Sequence, residues 1–158
     1  MQSKKKPEKG RLAKKVILNI TPQTHIRSTV GDRILFRIPR NKLKQSGLRR
    51  LTRLERYNKY KIDVSALAKQ QHFTFPSIGA SIKFYLPVPS TWRKWKKEQH
   101  HLQYHTSRSD LDNLIKALLD SLMSEDKHIA HFEAAKYWVN ADTGWIEITD
   151  NFKEGTLV

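Results

Sequence analysis

From Leu111 onward the apolar residues Leu111, Leu114, Ile115, Leu118, Leu119, Leu122 and Met123 recur at i, i+3, i+4, i+7, i+8, i+11 and i+12. A helix with about 3.6 residues per turn puts all seven on one side. The stretch therefore predicts a helix whose apolar face needs a second layer to cover it. Asp110 stands just ahead of the stripe, where a carboxylate caps free amides and favours the positive end of the helix. Capping explains Asp112 less well. Residues two apart on a helix point to nearly opposite sides, whereas in extended chain they share a face. If the chain is extended through Asp110 and helical from about Asp112, the two carboxylates converge, which is costly without a cation between them. Asp126, just past the helix end, adds a third carboxylate if the loop folds back. An oxygen-only set of this kind suits Mg²⁺ or Mn²⁺ rather than zinc. Lys116 lies four residues after Asp112 and neighbours it on the helix surface, facing either that acid or a phosphate. On spacing alone, the cap and the metal site both stand.

The charge around this segment is opposite in sign. The chain of 158 residues has a formal net charge of +15, yet five of its 15 acids fall between Ser107 and Ile129. Residues 1–61 hold 19 Lys and Arg against Glu8, Asp32 and Glu55, a net of +16, and residues 62–158 net −1. An excess confined to one part of the chain points to a polyanion, foremost nucleic acid, since Lys and Arg draw most sequence-independent affinity from phosphate neutralisation. A solubilising face is the plainer reading. An anionic membrane surface fits less well, because no apolar anchor accompanies the basic run. No apolar stretch approaches the roughly 18 residues of a membrane span. The start, "MQSKKKPEKGRLAKK", has no apolar core of a secretory signal. Without cysteine there is neither a disulfide nor a thiolate metal site, which fits a reducing cytoplasm.

The remaining sequence predicts one α/β (α+β) domain at 16–150, between a basic mobile arm at 1–15 and a tail at 151–158. About four strands in a mixed sheet and about three helices are expected. "VILNI" (Val16–Ile20) and "RILFRI" (Arg33–Ile38) read as strands that pair around the intervening loop, and Pro39 ends the second. "NKLKQSGLRR" reads as a basic linker. A helix follows from Leu51 to about Gln71. "ASIKFYLPVP" alternates as a strand. "STWRKWKKEQHHL" reads as a basic helix capped by Ser90 or Thr91, in which Trp92 and Trp95 either stack on bases or pack in the core. His101 and His105 have a helical zinc spacing but no third ligand. "AAKYWVN" and "GWIEITD" read as two strands joined by "ADT".

"SDLDNLIKALLDSLMSEDKHI" resembles the signature of the RusA-type Holliday-junction resolvases, P-D-[LI]-D-N-L-x-K-x-[LV]-[LF]-D-[AS]-L followed by D-D-x-x-[IV]. Asp110, Leu111, Asp112, Asn113, Leu114, Lys116, Asp120, Leu122, Asp126 and Ile129 fit in register. "FYLPVPSTWRKWKK" is similar to the strand and basic segment upstream, and "KYWVN…GWIEI" to the closing hairpin. The resemblance implies a small homodimeric endonuclease that cuts four-way DNA junctions in two symmetric strands with Mg²⁺, for which Mn²⁺ may substitute. It implies metal binding by Asp110, Asp112 and Asp126, with Glu125 as an alternative third ligand, and a catalytic role for Lys116. Arg93, Lys94, Lys96, Lys97, Arg108, Arg49, Arg50 and Arg53 are the candidate DNA-binding residues. The expected setting is the cytoplasm, with the nucleoid and without membrane. Ser109 departs from the family's proline, the spacer before Asp126 is short, and Glu125 replaces the first acid of the pair. Two alternatives are a nuclease selective for other branched DNA and a binding module that does not cut.

Overall fold

The computed structural model describes residues 13–150. In chain order they form β1 (Lys15–Leu18), α1 (Val30–Leu35), a 3-10 turn (Arg40–Lys42), α2 (Gln45–Gln70), β2 (Ala80–Pro87), α3 (Lys94–His100), α4 (Leu111–Leu122), β3 (Phe132–Val139) and β4 (Trp145–Asp150). The four strands make one mixed sheet in the order β1-β4-β2-β3. This is the α+β architecture read from the sequence, with four helices in place of about three. The tail at 151–158 lies outside the described residues, as does the arm at 1–15 except for its last three positions.

One face of the sheet carries the core. Val16, Leu18, Ile82, Phe84, Ile146 and Ile148 point from it and are almost fully buried. Tyr57, Tyr60, Val64 and Ala68 of α2 meet them, as do Leu114, Ala117 and Leu118 of α4. The stripe that predicted α4 is thus the face that closes the core. The opposite face of the sheet carries a row of stacked aromatics. Trp145 lies 4.6 Å from Tyr85, Tyr85 5.4 Å from Tyr137, and Tyr137 5.2 Å from Tyr104, ring centre to ring centre.

Four expectations change. Arg33–Ile38 is not a strand: the chain is helical from Val30 to Leu35, and β1 pairs with β4. The β-branched and aromatic run is overridden locally, because the Asp32 carboxylate accepts from the Thr29 amide at 2.7 Å and fixes a helix start. Helix α2 begins six residues before Leu51 and takes in Gly47, which packs against the side chains of Leu35 and Leu43. Helix α3 starts after Arg93, later than a cap at Ser90 or Thr91 would allow. It ends at His100, and residues 102–105 then run antiparallel to β3, with Leu102 N donating to Trp138 O and His105 N to Lys136 O. His101 and His105 are therefore not on one helix face.

The last two strands do not form a hairpin. They flank β2, with β3 parallel to it on one side and β4 antiparallel on the other. The connection at 140–144 must cross the end of β2, and Gly144 makes that possible. A Cβ there would lie 2.1 Å from the Tyr85 carbonyl oxygen and about 3 Å from Pro22 and Pro87 ring carbons. Gly144→Ala should therefore displace β4 from β2 and cost about 1–3 kcal/mol or more, as overpacking against backbone does. Chemical denaturation checks this, with a fall in midpoint expected.

Candidate active site

Helix α4 positions the acids. Leu114 and Leu118 anchor it to the core, so its first turn is held against the body of the protein. Asp110 is the N-cap residue, in extended conformation (φ −58°, ψ 135°), and its carbonyl accepts the Leu114 amide at 3.1 Å. Its carboxylate makes no capping hydrogen bond. Asp112 lies in the first turn and is exposed. The backbone is thus extended at Asp110 and helical at Asp112, as convergence of the two requires. Lys116 follows one turn later on the exposed side, and Asp120 one turn beyond it. Among the described residues, neither the two carboxylates nor the Lys116 ammonium takes part in a hydrogen bond or ion pair. Asp120 is engaged, with an oxygen 3.4 Å from His25 Nε2. The His25 amide also donates to Asn113 O at 3.0 Å, pinning the loop after β1 to the start of α4.

Asp126 lies at the other end. Helix α4 has 12 residues and at about 1.5 Å per residue is about 18 Å long. The chain leaves it extended at Met123, and Ile129 N donates to Asp126 O in a turn. Glu125 and His128 line a cleft of about 530 Å³ together with Ser65, Lys69 and Phe73, at the C-terminal end of α2. Leu122, Met123 and Ile129 line the same cleft, so this part of the loop packs beside the end of α4. Among the described residues no group of three or more His, Asp or Glu gathers around one point. Glu125 pairs with Lys127. The oxygen-only pair at the start of α4 nonetheless suits Mg²⁺, which is commonly bound by one or two carboxylates and completed by water and substrate phosphate.

The basic residues divide into two groups. Arg93, Lys94, Arg108, Arg49 and Arg53 are exposed. Lys96 lies over the Trp92 ring at 4.2 Å, and Lys97 is half-buried on the same helix. Trp92 packs between His100 and Trp138, whereas Trp95 is exposed. Arg50 is committed elsewhere. Its Nε and terminal nitrogen donate to the two oxygens of the buried Asp32 at 2.9 and 2.8 Å, and it also donates to Arg27 O. These bonds hold the Asp32 pKa well below the usual carboxylate range. Lys14, counted with the basic arm, closes the end of α2 by donating to Gln71 O at 2.9 Å.

Lys136 is the residue that sequence reasoning passed over. It sits on the helix-covered face of β3, in phase with Phe132, Ala134 and Trp138, and its Nζ donates to Ser107 O at 2.9 Å and Ser109 O at 2.7 Å. A lysine in the inward phase of a mostly apolar strand was the available signal. Beside it, the buried His105 ring stacks on Trp138 with centres 3.6 Å apart. Burial pushes the His105 pKa down, and the charge of Lys136 adds to this.

The family model of endodeoxyribonuclease RusA matches residues 37–149. The chain belongs to the RusA endodeoxyribonuclease family. No curated protein matches it. The match covers α2, the whole of α4, the loop bearing Asp126, and β2 to β4. Family members act on branched DNA junctions and depend on divalent metal. Membership thus makes the chain a nuclease of the Holliday-junction-resolving class. No helix among the described residues is long and apolar enough to cross a membrane.

The two groups of cations should separate by experiment. Arg50→Met should lower the thermal midpoint by several degrees, because it leaves Asp32 buried without its partner. It should leave the salt dependence of DNA binding nearly unchanged. Arg49→Ala or Arg53→Ala should do the reverse, each reducing the salt slope by about 1 if the side chain meets a phosphate. The Asp32 pKa is depressed on folding, so its contribution to stability is full above the unfolded value of 3.8 and is lost as pH falls from there toward the folded pKa. Acid denaturation of Asp32→Asn should therefore have a shallower pH slope below about pH 4 than that of the native chain.

Proposed function

We propose that the protein is a metal-dependent endonuclease that resolves four-way DNA junctions by paired symmetric cuts, acting as a homodimer. Its DNA substrate would place it with the nucleoid in the cytoplasm. The observation that carries the reading is the pair of uncommitted carboxylates at the start of α4. A core helix does not need Asp110 and Asp112 there, since among the described residues neither carboxylate makes a capping hydrogen bond or an ion pair. Asp110 and Asp112 would hold the ion, Mg²⁺ with Mn²⁺ as substitute. When bound, it supplies Lewis acidity and a water of lowered pKa. Lys116, one turn away on the exposed side of the helix, would donate to a non-bridging oxygen of the scissile phosphate and offset charge that grows in the transition state. The exposed Arg93, Lys94 and Arg108 lie in the segments before α4 and would bring the DNA backbone to the site.

The length of α4 supports the dimer. The 12 residues of α4, about 18 Å of helix, separate Asp110 from the loop bearing Asp126 along the chain, and among the described residues the three acids do not gather around one point. A second copy related by a two-fold axis can present its Asp126 to Asp110 and Asp112, and the same operation builds a second site. Asp126 suits this part better than Glu125, whose carboxylate already pairs with Lys127.

Cleavage of a synthetic four-way junction with Mg²⁺, Mn²⁺ or EDTA, resolved strand by strand, tests the activity. Symmetric metal-dependent cuts are expected. Equal cutting of forks or duplex would favour the broader structure-selective nuclease, and binding without cutting would favour a non-catalytic module. Asp112→Asn should lose more than about 100-fold in cleavage while still binding the junction. Subunit mixing tests the shared site. Asp112→Asn and Asp126→Asn homodimers should both be inactive, but a heterodimer of the two has one site with neither defect. Co-expression should restore nicking to about a quarter of the native rate, half the dimers being mixed with one good site each. If all three acids act within one chain, mixing restores nothing.

A further inference from the structure

We infer that Lys136 is a positioning residue for the metal-binding carboxylates: it clamps the turn that delivers Asp110 to the start of α4. The inference rests on the metal reading of Asp110 and goes beyond it. Its basis is the way the chain enters α4. Residues 102–105 are laddered to β3 through Leu102 N to Trp138 O, Trp138 N to Gln103 O and His105 N to Lys136 O. After His105 the chain must leave the sheet edge, turn and begin the helix within five residues. It does so with Ser109 in the left-handed region (φ 75°), a conformation that costs an ordinary residue about 1–3 kcal/mol unless its surroundings impose it.

Lys136 is what the structure provides there. Its main chain holds the end of the edge segment at His105, and its ammonium spans the turn to two carbonyls, Ser107 O and Ser109 O. The second belongs to the peptide group that links Ser109 to Asp110. Two charge-assisted bonds to adjacent turns of backbone fix the direction from which Asp110 arrives. With two of its three donors given to backbone, Lys136 acts through Asp110 and not on the phosphate. This is the arrangement by which outer residues hold metal ligands in place, and its loss characteristically costs about 10- to 100-fold in metal affinity or activity.

The test uses the full chain with Lys136→Met, Lys136→Gln and Lys136→Arg. Each variant is followed by thermal melting, four-way junction binding in EDTA, Mn²⁺ binding by calorimetry, and cleavage across a range of Mn²⁺. Lys136→Met and Lys136→Gln should weaken Mn²⁺ binding about 10- to 100-fold. Cleavage should shift to higher Mn²⁺ by a similar factor, with junction affinity in EDTA within a few-fold of native. Lys136→Arg, which can still reach both carbonyls, should recover most of the Mn²⁺ affinity. If Met unfolds the protein, Gln carries the comparison. Native Mn²⁺ affinity in folded Lys136→Gln overturns the inference. So does a loss of cleavage in all three variants that added Mn²⁺ does not relieve, which would make Lys136 a direct contact of the substrate. Asp110→Asn in parallel separates this from the metal reading. If that variant binds Mn²⁺ and cuts as the native chain does, the metal site itself is misplaced. If it fails while Lys136→Gln matches the native chain, the positioning role alone falls.

Discussion

The structure depends on the packing of α4 against both the sheet and α2. Leu114, Ala117 and Leu118 are fully buried against Phe84, Ile82 and the α2 side chains, and truncating any one of the leucines would cost on the order of 2–5 kcal/mol. That grip does more than stabilise. A helix held along its whole inner face cannot tilt or slide, so its outer face keeps a fixed place relative to the sheet. Asp112, Lys116 and Asp120 line that outer face, and Asp110 stands at its start. Core packing and placement of the acids are therefore one event. The ends of α4 are tied down separately: the His25 amide bonds to Asn113 O near the beginning, and the loop after Leu122 bonds back through Ala130 N to Ser77 O.

What the sequence made legible follows the strength of local periodicity. Seven apolar residues in helical phase defined α4 to within a residue or two, and strict alternation from Ala80 defined β2. The acids Asp110 and Asp112 were legible from their place relative to that phase. The failures have one physical theme, which is contact between distant segments. The run Arg33–Phe36 has strand-like side chains, but Thr29, Asp32 and Arg50 form a bonded set that stabilises a helix there, and one of the three, Arg50, lies 18 residues from Asp32. "KYWVN" and "GWIEI" are separated by a short turn, which favours a hairpin locally. Strand β2 takes the position between them because its two faces of hydrogen-bonding edge satisfy both. Nothing within residues 132–150 announces that insertion except Gly144.

The charge distribution shows the same limit. Counting Lys and Arg shows that residues 1–61 are strongly basic, and this reading of a polyanion partner agrees with membership in a DNA-cutting family. The count does not show which cations are free. Arg50 serves Asp32, Arg40 pairs with Glu55 at 2.5 Å, Lys15 with Glu147 at 2.9 Å, and Lys14 closes a helix end. Exposed pairs of this sort contribute little to stability and exchange partners readily, so Arg40 and Lys15 remain available to phosphate. The Arg50–Asp32 pair is different in kind. Asp32 is only 4% exposed, and removing its partner leaves a buried charge.

The geometry of α4 also bears on the homodimer proposed above. Asp126 follows that same rigid helix of about 18 Å, and among the described residues it does not gather with Asp110 and Asp112 around one point. In the proposed dimer a two-fold axis would bring Asp126 of a second copy to Asp110 and Asp112, and it would make two sites related by the symmetry of a four-way junction, whose equivalent strands are themselves related by a two-fold axis. In such an arrangement a lone subunit would hold incomplete metal sites, and cutting would be confined to the assembly that can cut twice. The constraint that builds the core thereby becomes a constraint on when the chemistry can occur.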